Sequence, residues 1–185
     1  MKKYMRNIEI EVRSFINRSE YKKLLNKLRR EAKFIGSAQE ETVYFRVENK
    51  DLRIRKDKNQ AYLILKGGKI HDDFREEIEI KCDKKDFKKI EELFKKLGFE
   101  DEIHWFRKRR IYKWEDTKVF LDDTKGYGYI IELEKIGKLR EKERIHKELE
   151  NKLKSLGIKI TPKKVFDQKF KYYKNNWRKI LKLKN

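Results

Sequence analysis

Charged residues in this sequence recur at a spacing of two. Glu9, Glu11 and Arg13 alternate with Ile8, Ile10 and Val12 in NIEIEVRSFI. Arg53 and Arg55 alternate with Leu52 and Ile54, and Glu132 and Glu134 with Ile131 and Leu133. Arg75, Glu77 and Glu79 stand opposite Ile78 and Ile80, and Lys66 shares its parity with Tyr62 and Ile64. In a β-strand, residues two apart lie on one face. Each segment therefore presents a charged row backed by an apolar one. Grouped carboxylates hold hard divalent cations such as Mg²⁺ or Mn²⁺ through oxygen. Grouped Arg and Lys hold phosphoryl oxygens, Arg in a bidentate manner. The two together are the apparatus of phosphoryl chemistry, where positioning and charge neutralisation do most of the catalysis.

The elements that must position these rows read as follows. The first strand is Asn7–Ile16. Ser19 is expected to cap a helix reaching about Lys33, with Tyr21, Leu24, Leu25 and Leu28 at helical spacing. Strands EETVYFRV, LRIRK, AYLILK and DFREEIEIK follow, joined by short polar or Gly-containing turns that argue for antiparallel hairpins. Asp83 is expected to cap a helix over Lys84–Leu97, stopped at Gly98. Then come strands EIHWFRKRRIYKW, KVFLD and YGYIIELEKI, a charged helix over about Leu139–Leu156, and a last helix over roughly Lys163–Leu183 after the single proline, Pro162. The expected fold class is α+β: an eight-stranded antiparallel β-barrel with flanking helices, one domain over residues 1–185, with the C-terminal helices of about 139–183 packed on the barrel. Eight strands close around an interior just able to hold a small ligand.

For any one strand, the charged row could face water and the apolar row the core. Two features favour the opposite arrangement. The amphipathic helices need apolar surface to cover, which the outside of the sheet would supply. The charges are also sorted, with carboxylates in the first, fifth and last strands and Arg and Lys in the middle ones. An interior dense in both signs is costly without a ligand or metal to pair it, which makes it a candidate site.

Composition narrows the partners. The 185 residues carry a formal charge of +20, with 45% charged and 12% aromatic residues. That excess favours anionic partners: nucleotides, polyphosphate, nucleic acid or an anionic membrane. One cysteine, Cys82, excludes a disulfide framework and a Cys-based zinc site, and His71, His104 and His146 show no ligand spacing. MKKYMRN is not followed by an apolar run, and no stretch approaches the ~20 apolar residues of a membrane span. The expectation is a soluble, cytoplasmic protein with no membrane association. The segment KFKYYKNNWRKILKLKN mixes cations with aromatics that could stack on single-stranded nucleic acid. Its Phe166, Phe170, Tyr173, Trp177 and Leu181 also follow helical spacing, which suits docking on the barrel and is the favoured reading.

Glu9-Ile10-Glu11-Val12-Arg13 resembles the N-terminal Glu-x-Glu-x-Lys signature of the CYTH, or triphosphate tunnel metalloenzyme, superfamily, with Arg13 in place of the lysine. Further elements follow in order over about Ile8–Ile136: LRIR, AYLILKGG, FREEIE, RKRRIY and LDDTKGYGYIIELE. The resemblance implies an eight-stranded tunnel in which Glu9, Glu11, Asp122, Glu132 and Glu134, with Glu77 and Glu79, hold Mg²⁺ or Mn²⁺. Glu9, Glu11 and Asp122 are its implied catalytic residues. Arg13, Arg53, Arg55, Lys66, Arg75, Lys108 and Arg110 would grip a triphosphate; a one-residue slip would exchange Lys108/Arg110 for Arg107/Arg109. The implied activity is metal-dependent hydrolysis of ATP, tripolyphosphate or thiamine triphosphate. Class IV adenylyl cyclase chemistry is the alternative, and an RNA- or polyphosphate-binding module without turnover a further one. The expected assembly is a monomer or homodimer.

Overall fold

The computed structural model describes residues 7–67 and 77–182. Eight strands and four helices make up the α+β fold: β1 (Asn7–Ile16), α1 (Arg18–Glu31), β2 (Lys33–Phe45), β3 (Lys50–Lys56), β4 (Gln60–Gly67), β5 (Glu77–Asp83), α2 (Phe87–Lys96), β6 (Asp101–Trp114), β7 (Thr117–Thr124), β8 (Gly128–Lys138), α3 (Lys142–Ser155) and α4 (Lys163–Leu181). The strands form one sheet in the order β1-β8-β7-β6-β2-β3-β4-β5, and every pairing is antiparallel. Chain neighbours pair in five of the seven ladders, as the short turns require. β1 and β5 are the two edges, yet side chains of both line one central cavity.

The apolar rows face outward, mostly under helices; that of β5, Ile78 and Ile80, is exposed. Ile10 and Val12 of β1, Val119 and Leu121 of β7 and Ile131 and Leu133 of β8 are buried against Leu24 and Leu28 of α1 and Ile145, Leu149 and Leu153 of α3. On the opposite flank, Phe87 of α2 is buried against Val43, Phe45, Ile54 and Ala61. With both flanks covered, the charged rows have only the concave side left.

α1 starts two residues earlier than Ser19 suggests. Asn17 is its cap: the Glu20 backbone N–H donates to the Asn17 side chain at 2.9 Å, and the Asn17 N–H donates to the Glu20 carboxylate at 2.7 Å. α1 ends at Glu31, so Lys33–Gln39 extends β2. Asp83 makes no side-chain cap bond; a 3₁₀ turn at Lys84–Asp86 leads into α2. The free edge of β1 is covered by the segment before α4. There Phe15 N–H donates to Thr161 Oγ1 and Thr161 N–H to Ser14 Oγ, each at 3.0 Å, which occupies groups that could otherwise template another strand.

α4 lies across one end of the concave face. Phe166, Tyr173, Trp177 and Leu181 are buried there against Tyr44, Ile103, Tyr127 and Ile130, with Phe170 packed beside them. The docking pattern read from the segment's helical spacing is the one observed. Gly126 has a left-handed backbone (φ +74°), and a Cβ there would run into Ile180 of α4, so the turn between β7 and β8 is shaped for the helix to sit on it. Cys82, at the end of β5, is a free, partly buried thiol.

Candidate active site

The concave face encloses a cavity of about 330 Å³. Among the side chains lining it are seven carboxylates (Glu9, Glu11, Glu77, Glu79, Asp122, Glu132, Glu134) and seven cations (Arg13, Arg53, Arg55, Lys66, Arg107, Arg109, Lys118). The cavity is thus charge-balanced, and the +20 excess is carried elsewhere on the chain.

One wall is acidic. Glu11 on β1 stands directly across from Glu134 on β8, and Arg13 across from Glu132. Like charges facing each other across a ladder repel, and burial removes the water that would screen them. Burial, with Glu132 and Glu9 adding repulsion, pushes the Glu11 carboxyl up to about 6. Burial likewise raises Glu9, with Glu134 and Glu132 adding to it, and raises Glu134 against the pull of Lys118 at 3.2 Å. Glu132 goes the other way: burial is outweighed by Arg109 and Arg13, so its carboxyl is lowered. Glu11 and Glu132 are thus shifted in opposite directions, Glu11 toward the protonated form and Glu132 away from it. Arg13 Nη1 lies 3.2 Å from Glu11 Oε1, but that buried oxygen has no hydrogen-bond partner.

The other wall is basic and already paired. Arg109 donates to both oxygens of Asp122 at 2.7 Å, reaches Glu132 at 3.3 Å, and stacks over Phe120 with its Cζ 4.2 Å from the ring centre. Arg107 donates to Glu40 at 2.7 Å and to Asp122 at 3.3 Å. Burial would raise Glu40, but Arg107, then Arg109 and Arg55, hold it down at about 2. Arg55 pairs with Glu79 at 2.9 Å and Lys66 with Glu77 at 2.5 Å. Arg53 donates to the Tyr44 hydroxyl at 2.8 Å and lies 3.6 Å from Asp51.

Most of the residues singled out from the sequence meet here: Glu9, Glu11, Arg13, Arg53, Arg55, Lys66, Glu77, Glu79, Asp122, Glu132 and Glu134 all line the cavity. Arg75 lies outside the described residues. Lys108 and Arg110 do not line it. They occupy the outer face of β6, where Lys108 is exposed and Arg110 bonds Tyr21 of α1. Arg107 and Arg109 take the inner face. β6 carries cations at both parities, so only its ladders with β2 and β7, which place Arg107 opposite Glu40 and Arg109 opposite Asp122, decide which pair points inward.

Both oxygens of Asp122, expected among the metal ligands, accept from Arg109 and Arg107, which ties it to the basic wall. Glu77 and Glu79 are likewise tied to Lys66 and Arg55. Sequence reasoning missed Lys118, Glu40 and Tyr44. Lys118 shares its parity with Asp122 in TKVFLDDT, a signal that was available. Glu40 was hidden in the doublet Glu40-Glu41, whose second member pairs with Lys56 at 2.8 Å.

The oxygen-only, crowded carboxylates of the acidic wall, three of them (Glu9, Glu11 and Glu134) with raised affinity for protons, and the unbonded Glu11 Oε1 suit a hard divalent cation. Among the described residues, the compact ligand group with donor atoms within 4.8 Å of one another lies elsewhere, at Glu91, Asp101 and His104. Lys95 sits 2.9 Å from Glu91 and 3.2 Å from Asp101, and Lys88 2.8 Å from Glu91, so ammonium groups already neutralise it. The tunnel carboxylates are more widely spread and would have to draw together around an ion.

Residues 7–163 match the family model for the CYTH domain. The chain belongs to the CYTH domain family. It is 37% identical over 163 residues to a Methanocaldococcus jannaschii protein named "Putative adenylate cyclase MJ0240", covering 82% of this chain and 90% of that one. Its fold matches the solved structure of the PH1819 protein from Pyrococcus horikoshii, with a TM-score of 0.71 and 28% identity over 82% of this chain and 92% of that one. It also matches HpAC1 from Hippeastrum, described as a "putative adenylyl cyclase" with "a dominant triphophatase activity" (TM-score 0.61, 21% identity, 83% and 89% coverage), a likeness of fold. No helix among the described residues is long and apolar enough to cross a membrane.

Proposed function

We propose that this CYTH protein hydrolyses a triphosphate in its tunnel with the help of a divalent cation. The observation that carries the reading is the pairing, in one 330 Å³ cavity, of a crowded acidic wall with a wall of oriented cations. Glu9, Glu11, Glu132 and Glu134 would hold Mg²⁺ or Mn²⁺, which when bound supplies charge neutralisation at the phosphoryl oxygens. Arg13, Arg53, Arg55, Lys66, Arg107 and Arg109 grip the phosphoryl chain, and their carboxylate partners keep the guanidinium and ammonium groups aimed into the cavity. Water attacks the terminal phosphorus, the bond to its bridging oxygen breaks, and orthophosphate leaves. Arg13, replacing the family's lysine, stays cationic and acts as clamp, not base. Its guanidinium also lies over the Phe166 ring, 5.3 Å from the centre, which fixes it at the junction with α4.

A second reading is cyclisation: the 3′-hydroxyl of ATP attacks the α-phosphorus and pyrophosphate leaves. The name of the 37% identical archaeal relative favours it. Nucleic-acid binding through the basic aromatic segment loses ground, because Phe166, Tyr173 and Trp177 are buried in docking α4. Incubating the pure protein with Mg²⁺ or Mn²⁺ and ATP, tripolyphosphate or thiamine triphosphate, then resolving products, decides between the enzymatic readings. Orthophosphate release supports hydrolysis; cyclic AMP with pyrophosphate supports cyclisation. No turnover of any of the three would overturn both.

A further inference from the structure

Six of the seven cations that line the cavity are held deep within it, their side chains between 11% and 22% exposed. Lys118 differs: it lies on the acidic wall, and its side chain is 55% exposed. The ladders explain its place. Glu11 of β1, Glu134 of β8, Lys118 of β7 and Lys113 of β6 stand side by side in one row across four strands. Lys118 therefore has a like charge on one side, Lys113, and an opposite charge on the other, Glu134. Its ammonium donates to Glu134 Oε1 at 3.2 Å. Further along the row, the buried Glu11 Oε1 keeps no hydrogen-bond partner. Folding thus neutralises the outer carboxylate of the row and leaves the inner one with an unbonded oxygen.

We propose that Lys118 is a resident countercation of the acidic wall, held on Glu134 and displaced when a divalent cation binds. The proposal rests on the metal-dependent triphosphate reading, in which Glu134 is one of the carboxylates that would hold Mg²⁺ or Mn²⁺, and it adds what sets the affinity of that site. A hard cation takes carboxylate oxygens as its ligands, and an ammonium on the same oxygen would repel it. Lys118 is placed to yield. Ion pairs with an exposed member are weak, and the Lys ammonium is a point charge on a flexible four-carbon stem. It can swing into water without stranding a buried charge. The arginines opposite have no such freedom: Arg109 is bonded to both oxygens of Asp122, and Arg107 to Glu40 and Asp122. The basic wall therefore keeps its cations, while the acidic wall carries one that can be exchanged. Metal loading becomes the replacement of one cation by another, and the ammonium weakens the apparent affinity for metal by as much as it favours Glu134.

The test reads metal binding and not turnover. Mn²⁺ is titrated into the intact chain and the free ion is followed by electron paramagnetic resonance, for the wild type, Lys118→Met and Lys118→Arg. Lys118→Met is expected to bind Mn²⁺ about five-fold more tightly, because the competing charge is gone. Lys118→Arg keeps that charge and is expected to bind no more tightly than the wild type. In a second measurement Lys118 is acetylated with acetic anhydride, with and without Mg²⁺, and followed by mass spectrometry. Labelling is expected to be faster with Mg²⁺, since the amine is no longer tied to Glu134. Equal or weaker Mn²⁺ binding by Lys118→Met overturns the exchange. So does an Arg variant that tightens as much as the Met one, and so does a labelling rate that Mg²⁺ leaves unchanged. Failure of the underlying reading looks different: a wild type that binds no Mn²⁺ removes the metal site and the exchange together, whereas equal Kd values in wild type and Lys118→Met remove the exchange alone.

Discussion

The two walls of the tunnel carry similar numbers of charges and are built on opposite electrostatic plans. On the β6–β2–β3–β4–β5 side, cations are paired within the protein: Arg109 with Asp122, Arg107 with Glu40, Arg55 with Glu79, Lys66 with Glu77. On the β1–β8 side, carboxylates face carboxylates, and burial lifts Glu9, Glu11 and Glu134. The basic wall is finished by folding, and its bonds fix where each donor points. The acidic wall is left short of positive charge, and the missing charge must come from protons or a cation. Oriented cations and under-compensated carboxylates are what a metal-bound triphosphate would meet.

Substitutions can break each plan separately. The largest effect is expected from Arg109→Ala, which strands Asp122 as a buried charge that retains only the longer contact to Arg107. Its stability should fall by about 3–5 kcal/mol in denaturant titration, with triphosphate turnover lost as well. Little change in either would show that Asp122 is not held as described. Glu9→Gln and Glu134→Gln should each cut metal-dependent turnover by about 10²-fold or more while leaving metal-free stability unchanged or slightly raised, because repulsion is relieved. Unchanged activity in both would refute the metal assignment.

The acidic wall also sets a pH dependence. The Glu11 carboxyl sits at about 6 in the folded protein, above its ordinary value of 4.5. The folded state therefore binds the proton more tightly than the unfolded chain, and stability falls as pH rises from about 4.5 through 6. By linkage the metal-free protein should be about 2 kcal/mol more stable with respect to this group below that window than above it. Melting curves in EDTA across pH 4.5–7.5 check this, and Glu11→Gln should flatten them. The smallest effect sharpens the inner-face assignment of β6: Lys108→Ala is expected to change turnover less than two-fold. A large loss would mean that the outer face of β6 takes part in the site.

Legibility followed local period. The first strand gave its charged row directly, since Glu9, Glu11 and Arg13 share one parity; that the row turns inward followed only from comparison with the other strands and the helices. α4 was legible for the same reason at a different period: its buried Phe166, Tyr173, Trp177 and Leu181 repeat at helical spacing. β6 was not, because Arg107-Lys108-Arg109-Arg110 is basic on both faces and its register depends on β2 and β7. Arg109 and Arg107, central to the basic wall, were therefore visible only as the alternative pair. Asp122 was found by resemblance, but its partners lie on another strand.

The sequence by itself determined the alternation that makes β1, β3, β4, β5 and β8 amphipathic, the helices available to cover apolar surface, and hence that charge of both signs turns inward. Those are properties of neighbours two or four residues apart, fixed by backbone geometry. Tertiary structure decided which β6 cations enter the cavity, that Asp122 serves the arginines, and that the last helix makes one end of the tunnel aromatic. Each of these depends on a contact between distant segments, such as Arg109 with Asp122 or Gly126 with Ile180, that no local period encodes.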